Sequence, residues 1–229
     1  TRGCRFCSVK TSRRPDALDP EEPLRTADAV NSWGLDYVVV TSVDRDDVDD
    51  HGSSHISETV RQLKLKTPHL LVEVLTPDFM DDGAAIDTVL SARPEIFNHN
   101  LETIRRLTPE VRSVATYDRS LSVLRKVKER ELAIFTKSGI MLGLGETEEE
   151  LHEALCDLRE AGVNLLTLGQ YLQPSKKHLP VVEFIHPDTF ADHKQTAEAM
   201  GFTYVASGPL VRSSYHADDF VPEDYRTQS

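Results

Sequence analysis

Short apolar runs rich in β-branched residues alternate along this chain with stretches whose apolar residues return at every third or fourth position. The first kind reads as a strand buried on both faces, the second as an amphipathic helix. The pattern predicts strands at 35–42 ("LDYVVVTS"), 70–76, 95–100, 113–118, 134–143, 164–172 and 202–207. It predicts helices at 26–33, 54–66, 84–91, 102–107, 120–130, 148–160 and 188–200. The helix at 148–160 has the clearest punctuation. Thr147 and Glu150 form a capping box, glutamates fill the first turn, Leu151, Leu155 and Leu158 share a face, and Gly162 follows as a stop. Cys156 sits on that apolar stripe and is expected to be a small buried hydrophobe.

Alternating strands and helices, with continuous apolar strands, imply a parallel sheet covered by helices. Such a sheet either opens as a doubly wound layer or curls into a barrel. No GxGxxG follows the first strand, so nothing points to a dinucleotide. Polar groups gather instead just after several strands, in "TSVDRDD", "NHN", "GLGE" and "GQYLQPS". In a barrel those positions share one rim, and active sites sit on that rim. The predicted fold class is therefore α/β, a complete or partial (β/α) TIM-like barrel.

Composition works by exclusion. The chain has 229 residues, 39% of them hydrophobic, enough for a sizeable core. A net charge of −12 argues against a general nucleic-acid partner. No apolar run approaches the roughly 20 residues that span a membrane, so no membrane partner is expected. Three cysteines are too few, and odd in number, for a disulfide framework.

Two of those cysteines stand in "TRGCRFCSVK" at the start of the chain. A CxxC such as Cys4–Cys7 begins a disulfide, a zinc site, a redox pair or an iron–sulfur site. Structural zinc wants four ligands, and there is no second CxxC. A thioredoxin-like pair follows a strand, and no strand leads into Cys4. An iron–sulfur cubane held by CxxxCxxC leaves one iron open for chemistry. Cys4 and Cys7 supply its last two ligands, with a cysteine expected immediately before Thr1. Gly3 permits the tight backbone path, and Phe6 shields the cluster from water.

This stretch resembles the radical S-adenosylmethionine (SAM) signature. Six stretches in order resemble, more specifically, the lipoyl synthase family of those enzymes: "TRGCRFCSVKT", "WGLDYVVVTSVDRDD", "LTPDF", "KSGIMLGLGE", "LTLGQYLQPS" and "GPLVRSSYHA". The resemblance implies one partial barrel of the radical SAM type over 1–229. A C-terminal segment from about 207 closes over the site, and the N-terminal auxiliary-cluster region is absent. It implies SAM and two 4Fe–4S clusters. One cluster binds SAM and cleaves it to a 5′-deoxyadenosyl radical; the other, auxiliary cluster donates sulfur to C6 and C8 of an octanoyl chain. The implied partners are octanoylated lipoyl carrier proteins, namely the glycine cleavage H protein and the E2 subunits of 2-ketoacid dehydrogenases, with an electron donor such as ferredoxin. "LDYVVVTSVDRDD" and "LTLGQYLQP" are similar to mitochondrial members, which implies the mitochondrial matrix, with the bacterial cytoplasm as the alternative.

Carried over residue by residue, Cys4 and Cys7 match ligands of the first cluster. Ser214 in Arg212-Ser213-Ser214-Tyr215, with Ser213 close behind, matches a serine ligand of the auxiliary cluster. Asp44, Asn100, Glu102, Lys137 and Gln170 are expected to hold SAM. Each also has a plainer reading. Asp44 belongs to a charged loop, and Asn98-His99-Asn100 is a strand-end turn. Lys137, inside a strand, needs a carboxylate, from the cofactor or from Glu73 or Glu102. Gln170 and Tyr171 suit packing, and Gly143 and Gly145 suit a turn as well as an approach to adenine. Lys137 also suits a Schiff-base barrel lyase. The cysteine loop alone also suits another radical SAM sulfur-inserting enzyme, or a zinc-dependent interaction module.

Overall fold

Six of the predicted apolar runs become parallel strands in a computed structural model, which describes residues 1–215 and 217–219. They are β1 (Tyr37–Thr41), β2 (Leu71–Leu75), β3 (Ile96–Asn98), β4 (Phe135–Leu142), β5 (Leu165–Gln170) and β6 (Tyr204–Gly208), each paired to the next in sequence. Helix α1 (Glu22–Trp33) leads into β1, and helices α2 (Ser53–Lys66), α3 (Gly83–Ser91), α4 (Thr108–Val111), α5 (Tyr117–Arg130), α6 (Glu148–Glu160) and α7 (Pro187–Ala199) fill the connections. The outcome is a (β/α) half-barrel. Among the described residues no helix is long and apolar enough to cross a membrane.

Alternation along the strands sorts side chains between two faces. Val72, Val74 and Phe97 face outward and pack with residues of α1, α2, α3 and α5. Ile140, Leu142, Leu166 and Leu168 face outward in a second cluster with α5, α6 and α7. At roughly 25 cal/mol per Å² of apolar surface removed from water, these two clusters supply the main driving force. On the inner face Tyr37, Glu73, Asn98 and Lys137 form a polar cluster. α6 starts as its sequence dictates, with both hydrogen bonds of the Thr147–Glu150 capping box present.

Three expectations need correction. Residues 113–118 form no strand; Thr116 caps α5, its side chain accepting the Arg119 amide at 3.2 Å, and capping outweighs the local β propensity. Residues 102–107 form no helix, because Glu102 stands at φ +72° and bridges to β4. Its amide donates to Gly139 O, and the Met141 amide donates to its carbonyl, both at 2.9 Å. Cys156 is half-buried rather than buried, lying 3.8 Å from His152 Nδ1. After β6 the chain returns across the sheet, and a Cβ on Gly169 would lie 2.3 Å from Val211 O. Only glycine admits that approach. Residues 216 and 220–229 of the expected closing segment lie outside the described residues.

Candidate functional site

The carboxyl ends of the strands form the mouth of the half-barrel, and residues 1–7 pack against it. Gly3 stands at φ +66°, and the Cys7 amide donates to Cys4 O at 3.1 Å, so both thiols share one tight turn. The Arg5 amide donates to Val111 O at 3.0 Å, and the Leu179 amide to Arg5 O at 3.1 Å. His178 donates through Nε2 to Cys7 O at 3.0 Å; a carbonyl only accepts, which assigns that proton. The deepest anchor is Arg2, whose side chain is 2% exposed. It reaches Asp46 at 2.6 Å, Asp78 at 2.7 Å and Asp44 at 3.3 Å. Burial would raise the Asp78 carboxyl, yet the hydrogen bonds and charge of Arg2 hold it well below the usual range. For Asp44 burial wins and pushes the carboxyl up.

Two cavities of about 360 and 300 Å³ open beside the cysteine turn. The first lies over β4 and β5, against Gly139, Met141, Thr167, Gly169 and Ser213. The second lies over β1 and β2, against Cys4, Thr41, Asp44 and Thr76. Phe6, Cys7, Asn100 and Glu102 wall both. Two half-buried thiols on one turn are the donor type an iron–sulfur cluster takes. Among the described residues no group of three or more His, Cys, Asp or Glu is placed to hold a metal ion. Burial pushes the Cys4 thiol up, an effect that iron reverses, since the ligand is the thiolate. On the shared wall, Asn100 Oδ1 is buried without a partner. The Glu102 carboxylate receives only Asn100 Nδ2, at 3.3 Å, and burial pushes it up. A cluster at Cys4 and Cys7, with a ligand rich in hydrogen-bond donors beside it, fits these residues.

The remaining predicted residues divide. Asp44 borders the second cavity and is half engaged by Arg2. Lys137 borders neither cavity; its ammonium sits 3.0 Å from Glu73 Oε2, deeper in the half-barrel, so the plainer reading describes its surroundings. Gln170 borders the first cavity, but its amide serves the backbone, donating to Glu183 O at 3.0 Å and accepting from the Ile185 amide at 2.9 Å. Gly143 and Gly145 shape a turn whose amides Glu146 gathers, Leu144 N at 3.0 Å. Ser213 borders the first cavity and accepts from Asn100 Nδ2 at 2.9 Å. Ser214 follows in an exposed turn, its hydroxyl without a hydrogen-bond partner among the described residues.

The chain matches the model of the Radical SAM superfamily over residues 1–169. It is 59% identical over 218 residues to the lipoyl synthase of Anaeromyxobacter sp. (strain Fw109-5), covering 95% of this chain and 74% of that one. The chain belongs to the lipoyl synthase family. It is also 57% identical to the mitochondrial lipoyl synthase of Branchiostoma floridae, covering 96% of this chain and 59% of that relative. This chain thus spans only part of the length of either. Among solved structures, Streptococcus suis SuiB bound to S-adenosylmethionine superposes with TM-score 0.66 at 12% identity, covering 87% of this chain and 44% of that one. Methylornithine synthase superposes with TM-score 0.65 at 14% identity, covering 97% and 74%. These two share the fold. Membership of the superfamily carries a 4Fe–4S cluster and SAM as cofactors.

Within this lipoyl synthase family member, three positions escaped the sequence reading. Arg2 gave one signal, a cation two residues from a thiol. Asp78 stood in "LTPDF" with no visible role, and His178 stood alone among exposed lysines. A buried network around His99 backs the site. His99 donates through Nδ1 to Thr76 O at 2.9 Å and accepts from Ser120 Oγ at 2.9 Å, while Arg112 donates to the same hydroxyl at 2.7 Å. Burial, with Arg112 nearby, pushes His99 down to about 4 and keeps it neutral.

Proposed function

We propose that this chain is the radical SAM barrel of a lipoyl synthase, a sulfurtransferase that inserts two sulfur atoms at C6 and C8 of a carrier-bound octanoyl chain. One observation carries the reading. Cys7 and Ser213 border the same cavity, and Asn100 on its wall donates to Ser213, so the cysteine turn and the RSSY turn face one chamber. When bound, the SAM-ligating cluster supplies the electron that cleaves SAM, and an auxiliary 4Fe–4S cluster supplies sulfur.

The chain's own groups take these parts. Cys4 and Cys7 would hold the first cluster. Glu102 and Asn100 Oδ1, short of partners on the wall between the cavities, accept hydrogen bonds from SAM. Asp44, at the second cavity, receives a cationic group. Ser214, with a free hydroxyl, ligates the auxiliary cluster, while Ser213 ties that turn to Asn100. Lys137 supports the wall from behind, and Gln170 forms part of the wall of the first cavity. Phe6, Met141 and Val211 keep water from the chamber. The carriers are the glycine cleavage H protein and E2 subunits, with a ferredoxin-type electron donor, in the mitochondrial matrix or the bacterial cytoplasm.

Anaerobic reconstitution of the full-length protein tests this. About eight irons per chain are expected, four per cluster. Ser214→Ala should lose the auxiliary cluster's Mössbauer signal and lipoyl formation while SAM cleavage persists. Lipoyl formation surviving in Ser214→Ala would move the role to Ser213, and survival in the Ser213→Ala variant as well would remove it from the motif. Iron loading indifferent to Cys4→Ala and Cys7→Ala would contradict the proposal.

A further inference from the structure

Around the cysteine turn, Lys10, Arg13, Arg14, Lys176 and Lys177 are exposed and make no ion pair or hydrogen bond through their side chains. Elsewhere among the described residues only Arg93 and Arg125 are equally free. Lys10 stands three residues beyond Cys7 and borders the second cavity. Arg13 and Arg14 continue that loop. Lys176 and Lys177 ride on the turn whose His178 holds Cys7 O. Of the nearby acids, Asp44 and Asp46 are engaged by Arg2 and Asp47 by Arg45 at 2.8 Å. A rim of unpaired cations is therefore left at the mouth of a chain whose net charge is −12. Inside it, Val9 is 57% exposed and Val43 51%, both bordering the second cavity, and Leu172 is 45% exposed beside the first. An apolar centre with a charged rim is the anatomy of a protein-docking surface.

We propose that this basic rim docks the acidic face of a small globular carrier domain and so delivers its acylated lysine to the chamber. The inference rests on the lipoyl synthase reading. Solvated cations of this kind add on-rate and partner choice more than burial energy. A long polyanion is disfavoured, since the rest of the chain repels it.

The test uses the holoenzyme, an octanoylated carrier domain with an acidic surface, and a short neutral peptide carrying the same octanoyl-lysine. Reversing four charges together (Arg13→Glu, Arg14→Glu, Lys176→Glu and Lys177→Glu) is expected to weaken carrier binding about tenfold or more at low salt and to flatten its salt dependence. Cleavage of SAM and turnover of the neutral peptide should be unchanged, which also shows that the variant is folded. Carrier affinity within about twofold of wild type overturns the docking surface. So does charge-sensitive binding to phosphatidylglycerol vesicles that excludes the carrier, or self-association abolished by the same reversals. Charge-sensitive carrier binding without sulfur entering either acyl group keeps the docking surface and removes the lipoyl synthase reading. Conversion of the peptide without carrier binding does the reverse.

Discussion

Glu73 and Glu102 both project into the half-barrel, one beneath the mouth and one at it. Glu73 is fully buried, and the chain closes around it with Lys137 Nζ at 3.0 Å, Asn98 Nδ2 at 2.6 Å and Tyr37 Oη at 2.5 Å. Glu102 receives one hydrogen bond, at 3.3 Å, makes no ion pair, and stands at φ +72°. A non-glycine residue held there costs about 1–3 kcal/mol, a strain that accumulates at functional sites. Buried charge alone therefore does not mark a site. A charge whose partners all come from the chain is architecture. A charge left short of partners, on strained backbone and beside two cavities, is prepared for a ligand.

The contrast can be broken at its closed end with the largest effect. Glu73→Gln leaves the Lys137 ammonium buried without its counter-charge, and denaturant unfolding should show a loss of about 3–5 kcal/mol. A loss under about 1 kcal/mol would mean that the network is not closed. Arg2→Lys comes next. It keeps the charge but loses the fork spanning Asp46 and Asp78, with an expected cost of about 2–3 kcal/mol and a parallel fall in iron loading. The Asp78 carboxyl has its folded value depressed, so its contribution is present above the ordinary aspartate value of about 3.9 and is lost on acidification below it. Arg2→Lys should flatten that acid limb in unfolding measured across pH.

His178→Phe removes one hydrogen bond to the cysteine turn, at about 1 kcal/mol. Reconstituted protein should show an altered cluster EPR signal, and His178→Gln, which keeps a donor, should restore it. Glu102→Gln has the smallest effect on folding. Burial raises the folded value of Glu102, so the folded chain keeps a proton that the unfolded chain releases as pH rises past about 4.3. The contribution of Glu102 to stability therefore declines as pH rises through its folded value, and the glutamine variant lacks that contribution.

The strands were legible because each keeps a short continuous apolar run, half-buried in 37–41 and buried throughout in 165–170, and α6 was legible because its capping box is local. What failed was non-local. The segment after Asn100 has helical spacing, but a bridge to Gly139 and Met141 decides its backbone. At the site, Asn100 and Glu102 were legible because polar residues after parallel strands must share one rim, and Cys4 because it forms a CxxC with Cys7. The need of Lys137 for a carboxylate was legible too, whereas the choice of Glu73 depended on the register of β2 against β3 and β4. Arg2 and His178 had no such signal, since Asp78 and Cys7, the groups they hold, are remote in sequence.

The most direct test of the contrast is the SAM dissociation constant of anaerobically reconstituted Glu102→Gln, measured beside its unfolding free energy. Affinity should fall about tenfold or more while stability at neutral pH is unchanged or higher. Unchanged affinity with stability lower by about 2 kcal/mol would make Glu102 a structural carboxylate like Glu73 and would contradict the account.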